Sequence, residues 1–147
     1  MLGLRLFSLL VAASSGAVMA VQGSVNALLG KISGLWEATF IVHAVGTAFA
    51  GLLVLCLGCG GFLRLGKAPW YAWTGGVLGV LIIYGVARSI PKVGVAPATT
   101  AIIIGQVLTA TIIDHFGLFG MTRLPFTWWR IIGCLLLAAG AWFLLKK

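Results

Sequence analysis

Acidic residues are almost missing from this sequence. Glu37 and Asp114 are the two acids among 147 residues, and charged residues of either sign make up 8% of the chain. Soluble globular domains carry about 25% charged residues, so this composition excludes an ordinary soluble fold. Both acids lie near the ends of apolar segments. No carboxylate is therefore placed inside a segment, where it would balance a lipophilic cation.

Motifs for catalysis and metal binding are also lacking. The sequence has no Ser-His-acid set, no glycine-rich phosphate loop and no metal motif, and we predict neither an enzyme nor a bound metal or cofactor. Cysteine is scarce, but Cys56 and Cys59 form one CxxC pair, so a membrane thiol oxidoreductase is an alternative. Cys134 supplies no second pair to relay electrons. Another alternative is an accessory membrane subunit whose polar residues only join helices.

Long apolar blocks dominate what is present. Hydrophobic residues make up 61% of the chain, and a helix of about 20 apolar residues crosses a bilayer. Five blocks reach that length, with short connections between them. We therefore predict an all-α integral membrane protein with one five-helix transmembrane domain over residues 1–147. The predicted spans are approximately residues 4–29, 36–57, 70–90, 95–113 and 128–145.

The basic residues give the chain a formal charge of +8, but they lie at span ends, where they anchor to lipid headgroups. We therefore predict the lipid bilayer, and not nucleic acid, as a partner. Five spans put the termini on opposite sides, called A and B. Side A holds Arg5, Arg64, Lys67, Arg123 and Arg130, and side B holds Lys31, Arg88, Lys92, Lys146 and Lys147.

This equal division leaves the positive-inside rule no imbalance to act on. We therefore predict insertion in both orientations and an antiparallel homodimer. The alternative is that the first helix or the folding context fixes one orientation. Antiparallel five-helix units would form a ten-helix assembly with the geometry of inverted-repeat transporters, whose sites lie near the membrane midplane.

The first span carries a stripe of small residues and a polar stripe about a quarter turn away. Small residues spaced three or four apart let membrane helices approach closely. Polar groups inside a membrane often mark a substrate pathway, although they can also join neighbouring helices by hydrogen bonds. The small stripe comprises Gly16, Ala20, Gly23, Ala27 and Gly30, and the polar stripe comprises Ser15, Gln22 and Asn26.

Polar residues recur in later spans. His43 lies well inside the second span, as a hydrogen-bonded neutral ring or a proton carrier. Tyr84 and Arg88 are four apart and share a face, although Arg88 could simply snorkel to the interface. The predicted substrate-binding residues are Ser15, Gln22, Asn26, His43, Tyr84, Arg88, Thr99 and Gln106. The predicted helix-packing glycines are Gly16, Gly23, Gly30, Gly46, Gly75 and Gly79.

Several of these stretches resemble one known family. "AVQGSVNALLGK" in the first span, "HAVGTAFAGLLVL" in the second and "GQVLTATIIDHFGLFG" in the fourth are similar to the YdcZ-like family of the drug/metabolite transporter superfamily. The resemblance covers almost the whole chain. It implies a five-helix half-transporter of the bacterial cytoplasmic (inner) membrane, paired as a dimer and akin to one half of ten-helix EamA-type relatives.

The resemblance also implies kinship with small multidrug resistance proteins, which carry a membrane-embedded glutamate in the first helix. This chain has Gln22 in that region. Together with the missing midspan carboxylate, this favours a small polar, zwitterionic or anionic metabolite or amphiphile as the substrate. We predict a transporter that moves it by alternating access.

Overall fold

A computed structural model describes residues 2–58 and 61–146. Within this part of the chain there are five long α-helices and no strand. The helices are α1 (Leu2–Ser33), α2 (Leu35–Leu57), α3 (Gly75–Val93), α4 (Val95–Phe116) and α5 (Trp128–Leu145). Short 3-10 segments, Gly61–Lys67 and Trp70–Thr74, precede α3, and another, Leu118–Gly120, follows α4.

All five helices are long and apolar enough to cross a membrane, which confirms the predicted all-α membrane fold. Three of them run further than the predicted spans: α1 to Ser33, α3 to Val93 and α4 to Phe116. The backbone hydrogen-bond ladder continues where the side chains become polar, so a helix outlasts its apolar stretch. Pro91 lies inside α3 but close to its end, where a proline removes a ladder bond without breaking the helix body.

Single glycines join two pairs of helices. Gly34 connects α1 to α2 with φ 98°, and Gly94 connects α3 to α4 with φ 95°, a backbone region that only glycine enters at little cost. At Gly34 the side chain of Glu37 also occupies the position that a Cβ would take. The backbone conformation therefore demands glycine at this turn, whereas the flexible Glu37 side chain could move aside for a Cβ.

The backbone divides into two compact units, Met1–Lys92 and Val93–Lys147, and the single domain stays a prediction. In the first unit, Asn26 and Ala27 of α1 and Ala38 and Thr39 of α2 are buried. All four lie within a few turns of Gly34, where small residues allow close helix contact. Residues 3–19 of α1, by contrast, are all exposed.

Large apolar side chains mostly point outward. Leu55 of α2, for example, is 86% exposed. Lipid tails are as apolar as these side chains, so a membrane helix gains nothing by hiding them from its surroundings. Among the described residues the buried apolar side chains are five alanines and Ile90, so mostly small residues hold the helices of each unit together.

Candidate functional site

Tyr84 and Arg88 of α3 form a cluster with Trp36 of α2 in the first unit. The Tyr84 ring stacks on Trp36, with ring centroids 4.3 Å apart and planes inclined by 24°. Arg88 Nη1 donates a hydrogen bond of 3.1 Å to the Tyr84 hydroxyl. A guanidinium has five N–H donors, so Arg88 keeps donors for an anionic group. Among the described residues the single ion pair joins Arg130 and Asp114, and Arg88 has no carboxylate partner there.

His43 of α2 is half-buried, and its ring is fixed from two directions. Nδ1 lies 2.8 Å from the carbonyl oxygen of Thr39, which can only accept, so Nδ1 carries the hydrogen. Nε2 faces α3, where a Cβ built on Gly79 would lie 3.3 Å from it. Gly79 therefore makes room for the imidazole, and Nε2 is an acceptor in the neutral ring.

The polar stripe of α1 has an exposed part and a buried part. Asn26 is 5% exposed, whereas Gln22 and Ser15 are exposed. The Ser15 hydroxyl donates to the carbonyl oxygen of Val11 over 3.0 Å, so its hydrogen is used within α1. The chain itself encloses Asn26 alone of the three. Their binding of substrate stays a prediction.

The six predicted packing glycines fall into two groups. A Cβ built on Gly23 would lie 2.9 Å from Val86 Cγ1 and 3.1 Å from Ile90 Cδ1, and one on Gly30 would lie 3.0 Å from Leu35 Cδ2. Gly79 meets His43, as described above. An added Cβ would meet nothing within 4 Å at Gly16, Gly46 and Gly75. A larger side chain would therefore be costly at Gly23, Gly30 and Gly79. The packing role of the six glycines stays a prediction.

In the second unit, α4 places Thr99 half-buried and Gln106 exposed. Thr100, which the sequence did not single out, is more enclosed at 9% exposed, and its hydroxyl donates to the carbonyl oxygen of Ala96 over 2.9 Å. Such a bond to the preceding turn satisfies the hydroxyl within its own helix. Thr99 and Gln106 stay the predicted binding residues of this helix.

A polar cluster that the sequence did not assign to a site lies at the end of α4. Asp114 Oδ2 pairs with Arg130 Nη1 of α5 at 3.3 Å. The chain after α4 folds back, so that the Leu124 N–H donates to the Asp114 carbonyl over 2.8 Å and Arg123 Nε donates to the His115 carbonyl over 3.0 Å. These donors satisfy carbonyls that a helix leaves unpaired at its C-terminus, where cations are also favoured.

The two histidines of the chain should adopt opposite neutral tautomers. His43 donates through Nδ1, whereas His115 Nδ1 accepts the Phe126 N–H over 3.2 Å, which leaves its hydrogen on Nε2. Solid-state NMR of ¹⁵N-histidine protein, at a pH where both rings are neutral, should show one ring of each kind. His115→Gln should remove the Nε2–H ring alone. Two rings in the same tautomer would contradict this arrangement.

The cysteines do not come together as a described redox pair. Cys56 is free and exposed, and Cys59 lies outside the described residues. Cys134 is half-buried and lines a groove of the second unit. Within residues 2–58 and 61–146, no group of three or more His, Cys, Asp or Glu is arranged to hold a metal ion.

The apolar helices, with polar side chains set inside them, define a multi-pass membrane protein. A family model described as "Putative inner membrane exporter, YdcZ" matches residues 7–143. The chain belongs to this YdcZ family of the drug/metabolite transporters, which confirms the resemblance and the inner-membrane location. The family description supports a membrane transporter. Comparisons with curated proteins and with solved structures found no match.

Proposed function

We propose that the protein exports a small polar, zwitterionic or anionic metabolite or amphiphile by alternating access. The observation that carries this proposal is the Arg88 guanidinium, which binds the Tyr84 hydroxyl and has no carboxylate partner among the described residues. A cation in apolar surroundings is stabilised by an anion. Of the two acids, Glu37 lies in the first turn of α2 and Asp114 is paired with Arg130.

The stacked rings beside Arg88 add an apolar surface to the same cluster. Trp36 is 62% exposed and lies against Tyr84 at 4.3 Å between ring centroids. Ligand sites combine apolar and aromatic walls with a few polar groups that fix orientation. A substrate with an anionic group and an apolar body would fit this combination better than a lipophilic cation would.

Arg88→Gln should weaken binding of anionic ligands about tenfold or more, because a hydrogen bond to a charged group contributes about 1.5–3 kcal/mol. Thermal shifts of the purified protein with a panel of anionic, zwitterionic and cationic compounds would measure this. Arg64→Gln removes the same charge from the exposed segment before α3 and is the matched control. The proposal would be wrong if only cationic compounds stabilised the protein, or if Arg88→Gln and Arg64→Gln responded equally to anionic compounds.

We further propose an antiparallel homodimer as the working unit, with helices that rock around a central site. Residues 3–19 of α1 are exposed, and a Cβ added at Gly16 would meet nothing within 4 Å. This part of α1 offers a surface that a second copy can approach closely. The equal division of basic residues between sides A and B supports insertion in both orientations.

Single cysteines should reveal both orientations in intact cells. In a background with the native cysteines replaced by serine, Gly66→Cys reports side A and Val93→Cys reports side B. With dual insertion, a membrane-impermeant reagent should label about half of the protein at each site, because no charge bias selects one orientation. Extra lysines on one side should make labelling all-or-none. Complete labelling at one site and none at the other, before any lysine is added, would remove the antiparallel dimer.

A further inference from the structure

A groove of about 300 Å³ runs between α4 and α5 in the second unit. The α4 residues that line it are spaced three or four apart, so they lie on one face of the helix. From Val107 to Asp114 this face is about 10 Å long at 1.5 Å per residue. The groove is lined by Val107, Ala110, Thr111, Asp114, Arg130, Gly133 and Cys134. It therefore has an apolar length and one charged end.

The ion pair at the charged end has unused hydrogen-bonding capacity. Arg130 Nη1 lies 3.3 Å from Asp114 Oδ2 as an ion pair and donates a hydrogen bond of 3.3 Å to the Leu124 carbonyl. Arg130 Nη2 and Nε, and Asp114 Oδ1, have no hydrogen-bond partner among the described residues. The two side chains are 32% and 37% exposed. The pair thus presents donors and an acceptor oxygen to a ligand from outside.

The charged end also lies where a lipid headgroup would be. Asp114 is close to the end of α4 at Phe116, and Arg130 is in the first turn of α5. Trp128 and Trp129, just before Arg130, are 78% and 82% exposed, as tryptophans of an interfacial belt are. From this level the groove follows α4 toward the middle of the helix, and so into the hydrocarbon.

We propose that this groove binds one molecule of phosphatidylethanolamine. Its phosphate accepts N–H bonds from Arg130, its primary ammonium donates to Asp114 Oδ1, and one acyl chain lies along the groove. The Thr111 hydroxyl in the groove wall needs no partner from the lipid, because it donates to the Val107 carbonyl over 2.6 Å. Gly133 lines the groove without a side chain, and a Cβ built there would meet nothing within 4 Å, so there is open space beside it.

Hydrogen bonding selects this headgroup over two others. Phosphatidylglycerol has the phosphate but no ammonium. Phosphatidylcholine has a quaternary ammonium without an N–H. Each leaves Asp114 Oδ1 without the ammonium donor that phosphatidylethanolamine supplies, and hydrogen bonds between charged groups are the stronger ones. The site should therefore prefer phosphatidylethanolamine, whether or not the protein transports an anion.

Native mass spectrometry of the full chain in detergent, with the three lipids added at equal concentration, tests this. Phosphatidylethanolamine should be retained best, and Asp114→Asn should lower its retention about tenfold, to the level of phosphatidylcholine. Gly133→Leu should lower retention of all three lipids by filling the groove without touching the ion pair. Glu37→Gln and Arg64→Gln change the same kinds of charge elsewhere and should leave retention unchanged.

Equal retention of the three lipids by the unaltered protein would overturn the proposal. The proposal would also be overturned if the Asp114→Asn variant had the same melting point as the unaltered protein and retained as much phosphatidylethanolamine as the Glu37→Gln variant does. If no lipid is retained and Cys134 of two copies forms a disulfide, a second copy covers the groove, and the proposal is equally overturned.

Discussion

Gly23→Leu should destabilise the protein strongly by forcing α3 away from α1. The Cβ alone would lie 2.9 Å from Val86 Cγ1 and 3.1 Å from Ile90 Cδ1, and the rest of the leucine has no space between the helices. Overpacking of this kind costs about 1–3 kcal/mol and sometimes more. The thermal midpoint of the purified protein should therefore fall by roughly 3–9 °C.

Gly16→Leu is the matched control, since it makes the same change on the same stripe of α1. A Cβ at Gly16 would meet nothing within 4 Å of the chain, so the midpoint of the monomer should stay close to that of the unaltered protein. If the two copies meet along this part of α1, Gly16→Leu should instead shift size-exclusion elution from dimer to monomer. Equal loss of thermal stability in both variants would contradict the packing of α1 against α3.

Gln22→Leu, one residue before Gly23, should have the opposite phenotype. Gln22 is exposed, so leucine breaks no contact that holds the unit together. If the amide binds substrate, the substrate's polar group loses its partner at a cost of about 1–3 kcal/mol. Binding should weaken roughly tenfold to a hundredfold, with an unchanged melting point in the absence of ligand. Thermal shifts and transport into proteoliposomes, with a compound that stabilises the unaltered protein, would measure both effects.

Gln22→Glu keeps the shape of the side chain and adds a negative charge, so it separates polarity from charge. This variant should respond less to anions and more to cations, because a carboxylate inside the membrane attracts a cation. If Gln22→Leu dissociates the dimer or unfolds the protein, and ligand response falls only with the amount of folded protein, the amide joins helices. The binding role of Gln22 would then be wrong.

Helix number and type could be predicted from the sequence because they depend on length and composition. About 20 apolar residues suffice for a membrane helix whatever its neighbours are, and all five predicted spans became helices. The ends were less predictable, since Lys31 and Pro91 end the apolar stretches but not the hydrogen-bond ladders of α1 and α3. The number of apolar residues reflects the thickness of the bilayer, whereas the end of a helix is set by where its backbone hydrogen bonds stop.

Contacts within the site depended on information that periodicity does not carry. Gly16 and Gly23 share a stripe, yet only Gly23 meets another helix of the same chain. The pairing of Asp114 with Arg130 was missed for the same reason. The sequence placed Arg130 at side A and Asp114 near the end of an apolar segment, but their contact depends on the turn at Gly117, where φ is 63°. Spacing indicates which residues share a face, and the loop geometry decides what that face meets.

The one-residue turn at Gly34 also governs where a reporter can be attached. Two backbone bonds flank it, Gly34 N–H to the Gly30 carbonyl at 3.2 Å and Ala38 N–H to the Gly34 carbonyl at 3.0 Å. A fluorescent protein inserted there would break this pair and pull α1 from α2, so its signal would describe a damaged molecule. Fusions belong instead in the segment Gly61–Lys67, where Gly66 and Lys67 are exposed and the connection from α2 to α3 is much longer than one residue.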